Sequence, residues 1–151
     1  MNGRSSIFLE AFALTQAIGE LLGDAMAGGP LTPEEYAAYS VVFEDEAVTP
    51  TDMGHRLGMP KTTVMERVRL MEARGHVRRV PHLHDGRSYR LVLTASGLSA
   101  HRRAHDLFEA AYQAFLREFS GNIERAQRNL TRIRASVAEA GAVSHRRRMR
   151  A

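Results

Sequence analysis

Apolar residues recur with helical spacing near the start of the chain. Between positions 6 and 27 they fall on one side of a helix, at Ile7, Ala11, Leu14, Ile18, Leu21 and Leu22. Two glycines and a proline at 28–30 follow, and these residues end helices. The pattern therefore predicts a first helix with one continuous apolar face.

Two helix-start signals come next. Thr32 has the position of an N-cap and Glu35 that of its capping-box partner, so we expect a helix over about 33–43. Thr49 has the same position before a shorter segment, which Gly58 ends after about two turns. Both segments carry proline in the first helical position, where its fixed backbone angle is favourable.

A further helix begins after Pro60, with Val64, Val68 and Met71 on its inward side. A short helix, a turn at Gly58 and this second helix predict a helix-turn-helix, whose second helix lies in the major groove of DNA. Its outward side chains suit contacts with base edges and phosphates. They are Lys61, Thr62, Thr63, Met65, Glu66 and Arg69.

The period then changes to the alternation of β-strands. The runs VRRVPHL and SYRLVLT are separated by HDGR, which predicts a hairpin with Asp85, Gly86 and Arg87 at its tip. Arg78, Arg79 and Arg90 flank this tip. Because an arginine on a narrow hairpin can enter the minor groove, the hairpin is a candidate DNA-binding wing.

Two more helices complete the pattern. Thr94 is expected to cap a helix that reaches about Phe119, and a last helix begins near Ile123. Its apolar residues are expected to be buried, at Ile123, Ala126, Leu130, Ile133 and Val137. The basic run over 144–151 is expected to be a disordered tail.

Composition narrows the class of protein. The 151 residues, 44% hydrophobic and 25% charged, are ordinary for one globular domain. There is no cysteine, which excludes disulfides and thiolate metal sites, and the net charge of +4 is only a weak sign of nucleic-acid binding. No uninterrupted apolar run approaches the roughly 18 residues of a membrane span, and no export signal is evident. We therefore expect a cytoplasmic α+β protein, mainly helical with one β-hairpin.

Three stretches together resemble the MarR family of winged helix-turn-helix regulators: LTPEEYAAYSVV, TPTDMGHRLGMPKTTVMERVRLMEARGHVRR and DGRSYRLVLTASG. The most specific part is the wing pattern of Asp85 and Arg87 followed by Leu93, Thr94 and Gly97.

The resemblance implies one MarR-like domain over 1–151, with a DNA-binding lobe over about 32–94 and dimerisation helices over about 6–27 and 95–140. It implies a homodimer on double-stranded DNA, with candidate contacts between subunits at Ile7, Leu14, Phe115, Leu130, Ile133 and Val137. Together with the residue pattern, it implies DNA contacts at Lys61, Thr62, Thr63, Met65, Glu66, Arg69, Arg79, Asp85, Arg87 and Arg90. Asp85 is expected to orient the wing arginines by ion pairing.

By the same resemblance, a small phenolic or other apolar ligand is expected to release the DNA. A pocket for it would be lined by Phe12, Tyr36, Tyr39, Phe43 and Phe108. Taken one by one, these aromatic residues are better explained as ordinary core. The expected function is a ligand-released repressor that binds a pseudo-palindromic operator.

Histidines offer a metal-dependent alternative. His101 and His105 are four residues apart on one helix face, and His82 and His84 share one face of a wing strand. The resemblance implies that a zinc site would also need ligands from the first two helices, and no histidine or cysteine aligns there, so we predict no metal and no cofactor. A zinc-responsive regulator remains the alternative interpretation.

Two other classes of function, an enzyme and a protein-interaction module, fit the sequence less well. An enzyme would need a nucleophile with its base or a carboxylate pair, and the chain has no G-x-S-x-G, P-loop, HExxH or cysteine. A winged-helix module that binds only proteins would not need the basic and hydroxyl side chains at Lys61, Thr62 and Arg69. A DNA-binding regulator is therefore favoured over both.

Overall fold

The computed structural model describes residues 3–149, which form helices and one hairpin. The elements are α1 (Gly3–Met26), α2 (Pro33–Glu44), α3 (Pro50–Leu57), α4 (Lys61–Ala73), β1 (Val77–Pro81), β2 (Tyr89–Leu93), α5 (Ala95–Glu118) and α6 (Ile123–Arg148). The predicted order of elements is confirmed.

The chain divides into two compact units. The first runs to Tyr112 and holds α1 to α4, the hairpin and most of α5. The second begins at Gln113 and holds the end of α5 with α6. Organisation as a single domain stays a prediction.

The predicted capping box of α2 is present. The Thr32 hydroxyl accepts the Glu35 N–H at 3.2 Å, and the Glu35 carboxylate accepts the Thr32 N–H at 2.9 Å. The other Glu35 oxygen lies 2.9 Å from the Arg74 guanidinium, just beyond α4. One buried carboxylate therefore stabilises the start of α2 and also links α2 to the end of α4.

The turn between α3 and α4 depends on two glycines. Gly58 has a φ of +65°, in the left-handed region that glycine adopts at little cost, as predicted for the end of α3. A Cβ on Gly54 would lie 3.2 Å from both the Met59 carbonyl oxygen and the Val64 side chain. The absence of a side chain at Gly54 thus allows α3 to pack closely against the start of α4.

The core of the first unit lies beneath α4. Val64, Val68 and Met71 are at most 2% exposed, which confirms the predicted inward side. They belong to one apolar cluster with Tyr39 and Met53, which are fully buried. Because this packing directs one side of α4 inward, it also determines which side chains α4 presents to solvent.

The wing is an antiparallel hairpin in which Val77 pairs with Leu93 and Pro81 with Tyr89. Val48, before α3, forms an isolated antiparallel bridge with Leu91, in which its N–H donates to the Leu91 carbonyl at 3.3 Å and its carbonyl accepts the Leu91 N–H at 2.8 Å. The sequence pattern did not predict this bridge. It joins the helix-turn-helix directly to the base of the wing.

The connection at the wing tip spans residues 82–88, between the two strands. A turn closes over 85–88, where the Ser88 N–H donates to the Asp85 carbonyl at 3.1 Å. His82 and His84 lie in this connection, so placing them on a strand face was wrong. The strand ends at Pro81, which has no N–H to donate to a longer ladder.

Two expectations for the last helix were also wrong. The α6 helix continues to Arg148, so residues 144–148 are helical rather than disordered, while residues 150–151 lie outside the described part of the chain. Leu130 and Val137 are 52% and 48% exposed rather than buried. The helix continues because its sequence contains no proline and no cluster of glycines.

Within the described residues, α1 has one membrane-like property. Its segment Ser6–Met26 is long and apolar enough to cross a bilayer, by length and composition alone. Polar residues interrupt this segment, so the absence of an uninterrupted apolar run did not reveal its average apolarity. A single such helix is weak evidence for a span, because core helices and signal sequences meet the same criterion.

Candidate nucleic-acid interface

The outward side of α4 is polar and accessible. Lys61, Thr62, Glu66 and Arg69 are exposed, and the side chains between them are half-buried at Thr63 and Met65. All six predicted contact residues of α4 therefore reach the solvent.

The cations on this side have no acidic partner. Among the side chains that the structure describes, neither Lys61 nor Arg69 forms an ion pair. Arg56 on α3, by contrast, binds Glu44 at 2.6 Å and Asp45 at 2.8 Å. Positive charge that is not neutralised within the protein remains available to phosphate groups.

The wing tip presents one further cation. Arg87 is exposed, and its backbone N–H donates to the Asp85 carboxylate at 3.0 Å. The expected ion pairing by Asp85 was wrong, since no described guanidinium lies within 4 Å of its carboxylate. Asp85 instead orders the backbone of the turn, at whose tip the Arg87 side chain is exposed.

The other two predicted wing contacts, Arg79 and Arg90, are held by protein contacts or partly buried, unlike Arg87. Arg79 donates to both carboxylate oxygens of Glu72 and lies over the Tyr89 ring. Arg90 is half-buried, and its Nε atom has no hydrogen-bond partner. The sequence pattern missed Glu72, although its position in the last turn of α4, just before the wing, is a recognisable signal.

The structure brings together three of the five predicted pocket residues. Tyr36 lies 4.9 Å from Phe108 and 5.3 Å from His101, and Phe43 lies 4.7 Å from His101, between ring centroids. Tyr39 is separate from this group: its hydroxyl hydrogen-bonds to His76 at 2.8 Å.

Phe12, on α1, is 67% exposed and has no described ring contact with the other four. A groove of about 600 Å³ lies between the end of α1 and the start of α2. Its lining includes Gly19, Gly23, Glu35 and Arg74, and none of the five predicted pocket residues. The ligand pocket therefore stays a prediction.

The two histidines of α5 are engaged in hydrogen bonds. His101 Nε2 lies 3.1 Å from the Ser40 hydroxyl, and His105 Nδ1 lies 2.8 Å from the Tyr36 hydroxyl. Within the described residues, no group of three histidine, cysteine or carboxylate side chains could hold a metal ion. These rings therefore connect α5 to α2 through hydrogen bonds and stacking.

Because His101 is buried, its protonation makes the stability of the fold depend on pH. The side chain is 5% exposed, and desolvation lowers the pKa of His101 below its ordinary 6.5, with a smaller effect of His105 in the same direction. Glu44 acts in the opposite direction. Below about pH 6.5 the unfolded chain gains this proton before the folded chain does, so stability decreases as the pH falls.

We therefore expect the free energy of unfolding to be lower at about pH 5.5 than at about pH 7.5. His101→Phe keeps a ring in the stack but cannot titrate, so the variant should lose part of this decrease. Urea unfolding at both pH values and one protein concentration measures it, with His55→Phe, at an exposed site on α3, as the control. An equal decrease in wild type and His101→Phe would contradict the assignment.

Most residues predicted to form the dimer interface expose apolar side chains to solvent. On α1, Ile7 and Leu14 are 45% and 43% exposed. In the second unit, Phe115, Leu130 and Val137 are exposed, and Ile133 is half-buried. Each unit thus presents large apolar side chains to solvent, which is unusual for a chain that stays single.

Comparison with known proteins agrees with this arrangement. A model of the MarR family matches residues 27–88, the segment from the end of α1 to the wing tip. The PcaV transcriptional regulator from Streptomyces coelicolor, solved with its natural ligand, is 28% identical with a TM-score of 0.70. That match covers 85% of this chain and 90% of PcaV. The segment 27–88 is therefore similar to the MarR family.

Two further comparisons show how far the similarity extends. The HTH-type transcriptional regulator TtmR of Methylorubrum extorquens (strain PA1) is 29% identical over 93 residues, which cover 62% of this chain. The match spans about half of TtmR, 48% of its length. A mutant MarR from E. coli, complexed with operator DNA, shares the fold at 16% identity, with a TM-score of 0.72 over 84% of this chain and 91% of that one. These relatives are transcriptional regulators, which are not enzymes.

Proposed function

We propose that this chain is a member of the MarR family and a cytoplasmic, sequence-specific DNA-binding repressor that acts as a homodimer. The observation that carries the proposal is the outward side of α4, where Lys61 and Arg69 lack acidic partners while the opposite side packs in the core. Arg87 at the wing tip is a third cation that forms no ion pair with any side chain that the structure describes. Together they supply one element for the major groove and one for the minor groove.

The dimer would place two α4 helices about one turn of DNA apart, roughly 34–36 Å, and would read a pseudo-palindrome. Occupation of such a site at a promoter prevents transcription. The release of DNA by a small apolar or phenolic ligand is part of the proposal. It is supported by the aromatic group around His101 and by the ligand-bound structure of PcaV.

A selection from random duplex DNA tests this proposal. Purified protein is mixed with a random library at two salt concentrations, and the retained duplexes are sequenced. We expect two inverted half-sites whose centres lie about 10 base pairs apart and whose enrichment survives the higher salt. Weak binding without sequence preference, abolished by salt, would overturn the proposal and favour a protein-interaction module.

Two arginine substitutions separate the roles of helix and wing. Arg87→Ala should weaken binding to all sequences by a similar factor and reduce the salt dependence by about one phosphate contact. Arg69→Ala should also relax base preference at one position of each half-site, at a cost of about 1–3 kcal/mol.

Repeating the selection with each variant measures both effects. Arg128→Ala, which removes an exposed arginine of α6, serves as the charge control. An unchanged affinity and salt dependence for Arg87→Ala would remove the wing from the interface.

A further inference from the structure

Arg79 makes the most extensive contacts of the wing arginines. Its guanidinium donates to the two carboxylate oxygens of Glu72, at 2.5 and 3.0 Å. It also lies 4.2 Å above the centre of the Tyr89 ring, on the opposite strand. Since Arg79 pairs with Leu91, Tyr89 is its diagonal neighbour, a position that long side chains reach across a hairpin.

These contacts join three elements at one point. Glu72 lies in the last turn of α4, Arg79 in β1 and Tyr89 in β2. A single surface ion pair adds little stability, but two parallel hydrogen bonds and ring stacking hold a guanidinium in one orientation. The arrangement therefore suits a rigid connection between the end of α4 and the base of the wing.

The neighbouring arginine provides a contrast. Arg78 is exposed, belongs to the same strand and points to the other side of it, where no described side chain forms an ion pair with it. The hairpin therefore carries two adjacent arginines of equal charge. Arg79 forms an ion pair with Glu72, and Arg78 forms none with the side chains that the structure describes.

We propose that Arg79 is a positioning residue that holds the wing at a set distance from α4 through Glu72. This proposal rests on the proposed DNA-binding function, because its consequence is that Arg87 and the outward side of α4 reach the two grooves together. The wing extends up to about 20 Å beyond Arg79, so a small rotation at its base displaces the tip by several ångströms. Loss of the contact would then weaken binding without removing any group that touches DNA.

The sign of one substitution distinguishes positioning from direct contact. Removal of the Glu72 carboxylate reduces negative charge near the DNA, which by itself strengthens binding. If Arg79 positions the wing, Glu72→Gln and Arg79→Gln should each weaken DNA binding by about fivefold. The double variant should bind no more weakly than either single variant, because both substitutions remove the same contact. The salt dependence should stay unchanged in all three.

The decisive variant exchanges the two charges. Glu72→Arg combined with Arg79→Glu restores an ion pair between α4 and β1, so we expect it to recover most of the lost affinity. Affinities are measured on a duplex that the wild-type protein selects, with Arg78→Gln as the control for loss of one positive charge. If Glu72→Gln binds as well as wild type or better, while Arg79→Gln lowers the salt dependence, Arg79 contacts DNA directly and the proposal is wrong.

A second measurement needs no DNA. Hydrogen exchange of the wing amides over 77–93 should become several-fold faster in Glu72→Gln and in Arg79→Gln, and should not change in Arg78→Gln. Failure of the wild-type protein to select any DNA would overturn the proposed function alone. Hydrogen exchange would still test whether Glu72 and Arg79 connect α4 to the wing. Unchanged exchange in both variants would overturn the positioning role of Arg79.

Discussion

Gly97→Ala is expected to destabilise the protein by about 3 kcal/mol, since a Cβ at this position has no space. It would lie 2.0 Å from the carbonyl oxygen of His76 and 2.9 Å from the carbonyl carbon. These are backbone atoms, which cannot rotate away as the end of a side chain can. The start of α5 or the turn before β1 must therefore move.

The movement would disrupt a local network. The His76 carbonyl accepts the Thr94 N–H at 3.0 Å, and the Thr94 hydroxyl donates to the Gly75 carbonyl at 2.7 Å. The same hydroxyl caps α5 by accepting the Gly97 N–H at 3.2 Å. Displacement of His76 thus affects the cap of α5 and the base of the wing together, so weaker DNA binding should accompany the lower stability.

Thermal and urea unfolding measure the effect against a matched control. Gly141→Ala makes the same chemical change in α6, where a Cβ meets nothing within 4 Å. It should be neutral or stabilising by up to about 1 kcal/mol, because alanine favours helices over glycine. A Gly97→Ala protein as stable as Gly141→Ala would show that the helix start can shift freely.

Leu14→Glu is expected to prevent dimer formation and to lower DNA affinity by about 100-fold or more. Leu14 is 43% exposed on the apolar side of α1, where Ile18 and Leu21 are 46% and 42% exposed. A carboxylate at the centre of this side would have to lose its water without a partner, which strongly opposes association. A monomer would bind one half-site only and lose the gain from two linked contacts.

Gln16→Glu is the control, because it adds the same charge on the other side of α1. Sedimentation measures the oligomeric state, and a titration with the selected duplex measures affinity. Circular dichroism should show both variants folded, since Leu14 is not part of the buried cluster. A dimeric Leu14→Glu protein with wild-type affinity would place the subunit interface elsewhere.

The sequence allowed a good prediction of the fold because its strongest signals are local. The capping box of Thr32 and Glu35 and the left-handed turn at Gly58 involve residues at most five positions apart. The inward side of α4 follows from helical period alone. For the last helix, local reasoning was less reliable: a basic run was expected to be disordered, although nothing at 144–148 interrupts α6.

The candidate interface was predicted only in part. Periodicity alone placed Lys61 and Arg69 on the outward side of α4. The strand bridge between Val48 and Leu91 and the partner of Arg79 were missed, because each joins residues whose encounter depends on how elements pack.

The sequence by itself determined the order of helices and strands, their caps and the polar side of α4, since each depends on spacing along one element. The tertiary structure decided which charges remain available to DNA. The sequence does not distinguish Arg79 from Arg87, yet packing brings Glu72 to Arg79 and leaves Arg87 exposed. Ion pairing requires two groups within about 4 Å, and only the packing of α4 against the hairpin sets that distance.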